Sequence, residues 1–279
     1  MNKSANLQRT AKTALLYLIL IAAATVMIFP LYTGIVTSLL GPENVSSYPP
    51  KLFPVDFRWQ NYLDAARQAP LLRFILNSFI QSGGVMVAQL VLASTAAFAF
   101  AFLPFKGKQL VFFLFLSTMM IPWESVIIPN YLFIQSIGWD DTYAGLIAPF
   151  MATAFGTFLL RQYFMSLPKD LYDAAIVDGC SNLRYLLTIV LPLARPALGT
   201  LAVYSFLQTY NQYLWPLLIT NSTEMRTVQI GITMLKQFET EQWQIVLAGV
   251  VTIMIPTLML FIFANRQLIR GLTAGALKG

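Results

Sequence analysis

The sequence predicts an all-α, polytopic membrane protein with six transmembrane helices. Of its 279 residues, 57% are hydrophobic and only 11% are charged, whereas a soluble globular domain carries about 25% charged residues. Long stretches without a charged residue recur along the chain, and about 20 apolar residues are enough to cross a bilayer as a helix. The Lys and Arg residues cluster in particular segments between these stretches, which is typical of orientation signals in membrane proteins.

The six predicted spans follow the apolar stretches in order. They are residues 14–39, 74–103, 109–130, 143–160, 196–220 and 243–264, within a transmembrane domain of residues 13–265. Because the first span follows three basic residues, a cleaved signal peptide is its rival interpretation. However, no charge appears from Thr13 to Pro42, which is longer than the roughly 7–15 apolar residues of a signal peptide. We therefore expect a retained helix after an N-terminal tail of residues 1–12.

The positive residues also predict an orientation. Twelve of the eighteen Lys and Arg residues lie in the N-terminal tail, the turn 104–108, the central loop 161–195 and the C-terminal tail 266–279. Since positive residues accumulate on the cytoplasmic side of a membrane, both termini and the central loop are expected there. The opposite loops are expected to contain a short interfacial helix at 59–68 and a polar loop at 221–241.

Several classes of function are excluded by missing residue types. The chain has no histidine and a single cysteine, Cys180, so we expect no internal disulfide, no metal site and no cofactor. It also has no G-x-x-x-x-G-K-[ST] motif, so ATP bound through a P-loop would need a partner chain. The net charge of +6 does not indicate nucleic-acid binding, because it arises from the membrane-flanking loops.

The central loop 161–195 contains the start and stop signals of a helix. Pro168 suits the first turn of a helix, Asp170 favours its positive end, and Gly179 suits the position just after its last turn. These signals predict a helix over residues 169–178. A second helix is expected to start after Ser181 or Asn182, either of which can cap it, and to end or kink at Leu191-Pro192.

The predicted loop helix is amphipathic. Its apolar face comprises Leu171, Tyr172, Ala175 and Ile176, and the neighbouring small residue Ala174 permits close approach of another surface. Such a helix either lies on the membrane with its apolar face in lipid or docks on another protein. The residue pattern by itself leaves both interpretations open.

The spacing in this loop resembles the EAA loop of binding-protein-dependent ABC importer permeases. That family pattern is Glu-Ala-Ala, three residues, Gly, nine residues, then Ile-x-Leu-Pro, and this chain has Asp173-Ala174-Ala175, Gly179, Ile189 and Leu191-Pro192. Asp173 stands where Glu is usual, and Cys180 where Ala is usual. The segments 155–168 and 270–279 resemble the sugar-permease branch, and 211–217 is similar to glycerol-3-phosphate permeases.

The resemblance implies a type I importer permease fold with a cytoplasmic coupling helix in a bacterial-type inner membrane. It implies a homologous second permease in a heterodimer, two copies of an ATP-binding subunit and an extracytoplasmic solute-binding protein. The residues that it assigns to ATPase coupling are Leu171, Tyr172, Asp173, Ala174, Ala175, Asp178 and Gly179. It also places Gly275 and Lys278 of the tail against the ATPase, although a solvated, frayed end is the alternative.

Two groups of residues are candidates for the solute pathway. Glu124 is the one charge inside a predicted span, which either marks a functional site or means that Pro122 ends the span near the outer interface. Asn211, Gln212 and Trp215 combine amides with an aromatic ring, which suits a polyol, but an aromatic belt at the membrane boundary has the same composition. An ion-gradient-driven carrier is the rival function, and it usually shows more buried ionisable residues.

Overall fold

The computed structural model describes residues 3–238 and 242–274, and these residues form helices with no β-strand. Three helices are long and apolar enough to cross a membrane without interruption: Thr10–Ser38, Leu71–Phe102 and Trp243–Leu260. Three further pairs of helices meet the same criteria jointly but are bent at a break, and counting each pair as one span gives up to six. The predicted all-α membrane class is confirmed.

The helices of the described residues have the following bounds. They are α1 Lys3–Ser38, α2 Pro42–Val45, α3 Gln60–Gln68, α4 Leu71–Phe102, α5 Lys108–Ser117, α6 Trp123–Ser136, α7 Tyr143–Ile147, α8 Ala154–Met165, α9 Asp170–Val177, α10 Asn182–Tyr185, α11 Leu191–Leu193, α12 Arg195–Tyr210, α13 Leu214–Ile219, α14 Val228–Phe238 and α15 Trp243–Ala274. Short 3-10 turns follow α5 and α7, another precedes α14, and a π-helical turn, Leu186–Val190, joins α10 to α11.

The chain divides into two compact units. The first comprises residues 1–71 and 232–255, and the second comprises residues 72–231 and 256–279.

In the first unit, side-chain hydrogen bonds hold the proline-rich segment between α2 and α3 in place. Asp56 accepts hydrogen bonds from the Gly41 N–H (3.0 Å) and the Asn44 amide (2.6 Å), and Asn61 donates to the carbonyl at the end of α1, that of Ser38 (2.9 Å).

The second unit has two clusters of buried side chains. One is built around Leu160, Phe164, Tyr185 and Leu201, and it includes buried residues of the central loop. The other is built around Trp215 and includes Ile127, Ile134, Leu146 and Ile219. Each cluster joins helices that are far apart in sequence, so it fixes the position of the loops next to it.

The predicted span 109–130 is broken in the structure. After α5 and its 3-10 turn, the chain bends by 96° before α6 begins at Trp123. Pro122 occupies the N-cap of α6, and a proline is accepted there because the amide of that position has no helical partner. The predicted span 143–160 is likewise divided, with a 50° bend between its two helical segments.

The polar loop predicted at 221–241 is wrong in its second half, where α14 forms. The N–H of Val228 donates to the Ser78 hydroxyl of α4 at 3.0 Å, so the helix receives its capping acceptor from a residue distant in sequence. Val228 and Leu235 are both fully buried and are seven residues apart, which is two helical turns. The helix α15 also continues through Arg266 and Arg270 to Ala274, where a tail was predicted.

Asp141 joins two loops of the second unit. Its backbone is left-handed, with φ +55°, and its carboxylate accepts hydrogen bonds from the N–H groups of Asn221 (2.9 Å) and Ser222 (3.1 Å). Burial alone raises the pKa of Asp141. This effect of burial is outweighed by hydrogen bonds from the Ser222 hydroxyl, the Ser222 N–H and the Asn221 N–H, and by the charge of Arg226. The pKa of Asp141 therefore lies below its ordinary value of 3.8.

We expect this carboxylate to stabilise the fold in a pH-dependent way. Because the folded pKa is lowered, the stabilisation is complete above the unfolded pKa and is lost as the pH falls through the folded value. The Asp141→Ala variant should therefore unfold at a lower temperature than the parent at pH 7, and the difference should narrow as the pH falls below the ordinary value of 3.8. Asp140→Ala is the matched control, and an equal loss in both variants at pH 7 would contradict the assignment.

Candidate functional site

The helix α9 of the central loop ends in a Schellman motif. The Cys180 N–H donates to the Ala175 carbonyl (2.8 Å) and the Gly179 N–H to the Ile176 carbonyl (3.0 Å), which is the paired pattern of that motif. Gly179 has φ +71°, so the predicted stop is confirmed. A Cβ at Gly179 would meet nothing within 4 Å. The backbone angle thus favours glycine here, and nothing in the described part of the chain approaches this residue closely.

The predicted apolar face of α9 is divided between core and surface. Its centre is buried, because Ala175 is 6% exposed and Tyr172 packs against the same cluster. Its edges are not buried: Leu171 and Ile176 are exposed. Val177, on the opposite side, is 86% exposed. An apolar surface therefore remains on α9 after its core side has been covered.

Polar and small residues lie next to this exposed apolar surface. Asp173, Ala174 and Asp178 are all exposed, and neither carboxylate forms a salt bridge within the described residues. Carboxylates beside exposed aliphatic side chains are more suited to a protein surface than to the lipid phase, because burial of an unpaired charge is costly. The geometry therefore favours docking over a lipid-facing position.

An aromatic anchor of Phe102, Tyr172 and Tyr185 ties α9 to the spans. The ring of Phe102, the last residue of α4, lies 5.3 Å from that of Tyr172 and 5.5 Å from that of Tyr185. The two tyrosine rings are 5.2 Å apart, and each such pair contributes about 0.5–1.5 kcal/mol beyond its buried area. A displacement of α9 is consequently coupled to the end of α4 and to α10.

The second helix of the loop begins as predicted at Asn182. The Ser181 hydroxyl accepts from the Arg184 N–H at 3.4 Å. The helical path continues through the π-helical turn and α11, and it bends by 81° into α12 at Ala194. Pro192 was expected to end or kink the helix at its own position. It instead lies in the first turn of α11, where a proline is tolerated.

The second unit also contains a cavity of about 570 Å³, within the range of about 300–1,000 Å³ that is usual for small-molecule sites. Amides, hydroxyls and aromatic rings line it. The lining residues are Gln89, Met119, Trp123, Phe150, Thr153, Tyr204, Ser205, Gln208, Thr209, Gln212, Tyr213, Leu214 and Trp215.

Hydrogen bonds hold part of this lining in place. The indole N–H of Trp215 donates to the Gly145 carbonyl at 3.1 Å, and the amide of Gln89 donates to the Phe150 carbonyl at 2.8 Å. The carbonyl oxygen of Gln212 accepts from the Gln81 amide at 3.0 Å. These bonds join α4, α7 and its 3-10 turn, the segment after α12, and α13, so the cavity wall is built by several elements.

Two of the four predicted pathway residues, Gln212 and Trp215, line this cavity. Trp215 is only 1% exposed, which is not the position of a residue in an aromatic belt. Asn211 is exposed and donates to the Leu207 carbonyl of its own helix at 2.9 Å. Glu124 is exposed in the first turn of α6, just past the bend. The structure therefore does not bring Glu124 and Asn211 to the cavity.

A known family matches most of the chain. Its description is binding-protein-dependent transport system inner membrane component, and the match covers residues 70–272. The chain belongs to this family. The matched range contains α9, the aromatic anchor and every residue that lines the cavity.

Relatives of similar length support this membership. The sn-glycerol-3-phosphate transport system permease protein UgpE of Escherichia coli O1:K1 / APEC is 35% identical over 262 residues, which are 91% of this chain and 93% of the relative. The proteins of the same name from Pectobacterium atrosepticum and Brucella abortus (strain 2308) are 34% and 32% identical, and they cover 92% and 95% of this chain and 94% and 97% of their own lengths.

Two solved structures share the fold. One is a bacterial ABC transporter involved in the import of the acidic polysaccharide alginate, with a TM-score of 0.80, 21% identity, and coverage of 95% of this chain and 98% of that one. The other is a bacterial alginate ABC transporter in complex with an alginate pentasaccharide-bound periplasmic protein, with a TM-score of 0.64, 17% identity, and coverage of 93% and 95%. At this identity the likeness concerns the fold.

Membership decides between the functions that the sequence left open. As an inner-membrane component of a binding-protein-dependent transport system, the chain is a transport subunit and not an enzyme. The predicted permease function is confirmed, and the interpretation as an ion-gradient-driven carrier is not supported.

Sequence reasoning about this permease missed several cavity residues. Gln89, Ser205 and Gln208 lie within apolar helices, and a polar side chain inside a span was itself a usable signal. The predicted pathway contained only Glu124, Asn211, Gln212 and Trp215. The predicted tail contacts, Gly275 and Lys278, lie outside the described residues.

Proposed function

We propose that the chain forms half of the translocation pathway of an ATP-driven importer for a sugar, polyol or glycerol-3-phosphate-type solute. Its partners are a homologous second permease in a heterodimer, two cytoplasmic ATP-binding subunits and an extracytoplasmic solute-binding protein. Both termini and the central loop lie in the cytoplasm. Membership of the family, the names of the relatives and the distribution of positive residues support this proposal.

The observation that carries the proposal is the surface of α9. Its residues Leu171, Ile176 and Val177 stay exposed, while the other side of the helix is fixed to the core through Tyr172 and Ala175. A surface that another protein covers gains free energy from apolar burial, about 25 cal/mol for each Å². Because α9 is tied to α4 by the aromatic anchor, displacement of the docked ATPase moves the spans as rigid bodies.

A charge placed on this surface tests the docking directly. Val177→Arg is expected to weaken co-purification of the ATP-binding subunit at least tenfold, because the contact would have to bury an unpaired charge. The measurement is affinity purification of the full chain with its partner subunits from detergent extracts, together with its thermal unfolding. The fold should persist, since Val177 is 86% exposed.

Val55→Arg is the matched control for this experiment. Val55 is 60% exposed but lies in the segment between α2 and α3, and we expect normal co-purification from it. Equal amounts of ATPase with Val177→Arg and with the parent would reject α9 as the docking surface.

For the solute pathway, we infer roles for Gln212 and Trp215, which line the cavity. Glu124 and Asn211 lie elsewhere, so a pathway role for them rests on a different conformation of the importer. A contact of Gly275 and Lys278 with the ATPase rests on the family resemblance of the tail.

A further inference from the structure

The cavity wall differs from a typical phosphate-binding site in the charge of its side chains. Among its lining residues there is no Lys, Arg, Asp or Glu. A phosphate group is usually bound by cationic side chains, often together with the N–H groups at a helix start. Of these two, the wall has helix starts, at Thr153 before α8 and at Trp123 of α6, but no cationic side chain. The relatives named above carry sn-glycerol-3-phosphate in their names, so the composition of this cavity raises the question of which solute it accepts.

One buried hydroxyl of the wall has no hydrogen-bond partner within the described residues. Ser205 is 2% exposed and lines the cavity, and its hydroxyl makes no hydrogen bond within the described residues. Other hydroxyls in these helices donate to the carbonyl four residues earlier, as Thr200 does to Pro196 at 3.0 Å. A buried polar group without a partner costs about 1–3 kcal/mol. A ligand hydroxyl placed beside Ser205 would remove this cost.

Further bonding capacity lies one helical turn along the same helix. The Gln208 amide donates to the Tyr204 hydroxyl at 3.1 Å. The Gln208 carbonyl oxygen and the Tyr204 proton have no partner in the described part of the chain. Gln212 accepts from Gln81 through its carbonyl, which leaves its NH₂ group to donate. Gln208 thus offers a neutral acceptor, Tyr204 and Gln212 offer neutral donors, and the Ser205 hydroxyl can do both.

Aromatic rings complete the wall. The rings of Trp123 and Phe150 have centroids 4.6 Å apart, and those of Trp123 and Trp215 are 5.9 Å apart. Ring faces carry negative potential, so they attract the C–H face of a sugar and repel an anion. An anion in this cavity would also lose its hydration without a compensating charge.

We propose that this cavity binds the uncharged, polyhydroxylated part of a solute, a neutral sugar or polyol without phosphate. The proposal rests on the proposed function of the chain as a solute permease and narrows its solute class. Hydroxyl groups of the solute pair with Ser205, Gln208 and Gln212, and its C–H face stacks on Trp123. Phosphorylated solutes are disfavoured by the absence of a cation from the wall.

Paired probes isolate the effect of the phosphate. The full chain in lipid nanodiscs is titrated with glucose against glucose 6-phosphate, with glycerol against sn-glycerol 3-phosphate, and with maltose, while tryptophan fluorescence is recorded. We expect at least one neutral probe to give a saturable change that is absent from Trp123→Phe. Its phosphorylated counterpart should bind at least tenfold more weakly. Failure of all neutral probes, or equal binding of the phosphorylated one, would overturn the proposal.

The variant Ser205→Ala separates binding from folding. Because the hydroxyl has no partner among the residues that the structure describes, its removal should leave the unfolding temperature unchanged or higher. It should weaken binding of the neutral probe about fivefold to tenfold, the equivalent of one hydrogen bond. Gln135→Ala, at an exposed glutamine outside the cavity, should change neither quantity. Unaltered binding by Ser205→Ala would count against a contact with the solute.

The solute-binding experiment can fail while the proposed permease function still holds. Docking of the ATP-binding subunit is read from Val177→Arg, which does not touch the cavity, and solute binding is read without any ATPase. If co-purification behaves as expected but the paired probes do not, the chain is still a coupled permease and only the neutral solute class is rejected.

Discussion

The Gly179→Val variant is expected to lose ATP-driven uptake while its membrane insertion stays normal. At φ +71°, a non-glycine residue costs about 1–2 kcal/mol, and a β-branched one is the least suitable. The Schellman motif that closes α9 would be disfavoured by about tenfold or more, so the end of the helix that carries the docking surface would be held less firmly. The measurement is solute uptake and ATPase activity of the complete importer in proteoliposomes, with protein quantity determined in the membrane fraction.

Two substitutions distinguish lost coupling from lost folding. Gly138 also has a positive φ, +70°, and open surroundings, so Gly138→Val introduces the same strain outside the central loop and should retain most uptake. Gly179→Asn should recover much of the activity, because asparagine tolerates the left-handed conformation. Normal uptake by Gly179→Val would show that the geometry of this turn is not needed for coupling.

The Trp215→Ala variant is expected to be the most destabilising single truncation in the second unit. Trp215 is 1% exposed, its ring packs against Trp123 and Phe150, and its N–H pairs with Gly145. Truncation of a buried aromatic side chain costs about 3–5 kcal/mol, and the Gly145 carbonyl would also lose its donor. Thermal unfolding in detergent should shift downward by on the order of 10 °C.

The control for this variant is Trp59→Ala. Trp59 is 65% exposed, so its removal leaves no internal void and should lower the unfolding temperature by no more than a few degrees. Similar shifts for both variants would mean that Trp215 is not a packing centre. If Trp215→Ala instead remained stable but lost solute binding, its principal contact would be with the solute.

The capping residues of the central loop predicted the local structure more reliably than other features of the sequence. Gly179 and Ser181 act within a few residues of themselves, and both occupy the cap positions expected of them. The helix α14 was missed because the acceptor at its start is Ser78, 150 residues earlier. The broken spans were only partly visible, since the prolines at 122 and 129 marked irregularity but could not define a 96° bend.

The sequence by itself determined the membrane class, the family motif and the stop of α9. Hydrophobicity adds up over neighbouring residues, and capping depends on backbone angles within one turn, so each can be read from a contiguous segment. Only the tertiary structure decided that Tyr172 packs against the core while Val177 is exposed, and that Gln89, Thr153 and Ser205 share one uncharged cavity. The cavity depends on how α4, α8 and α12 pack, because Gln89, Thr153 and Ser205 are each more than fifty positions apart along the chain.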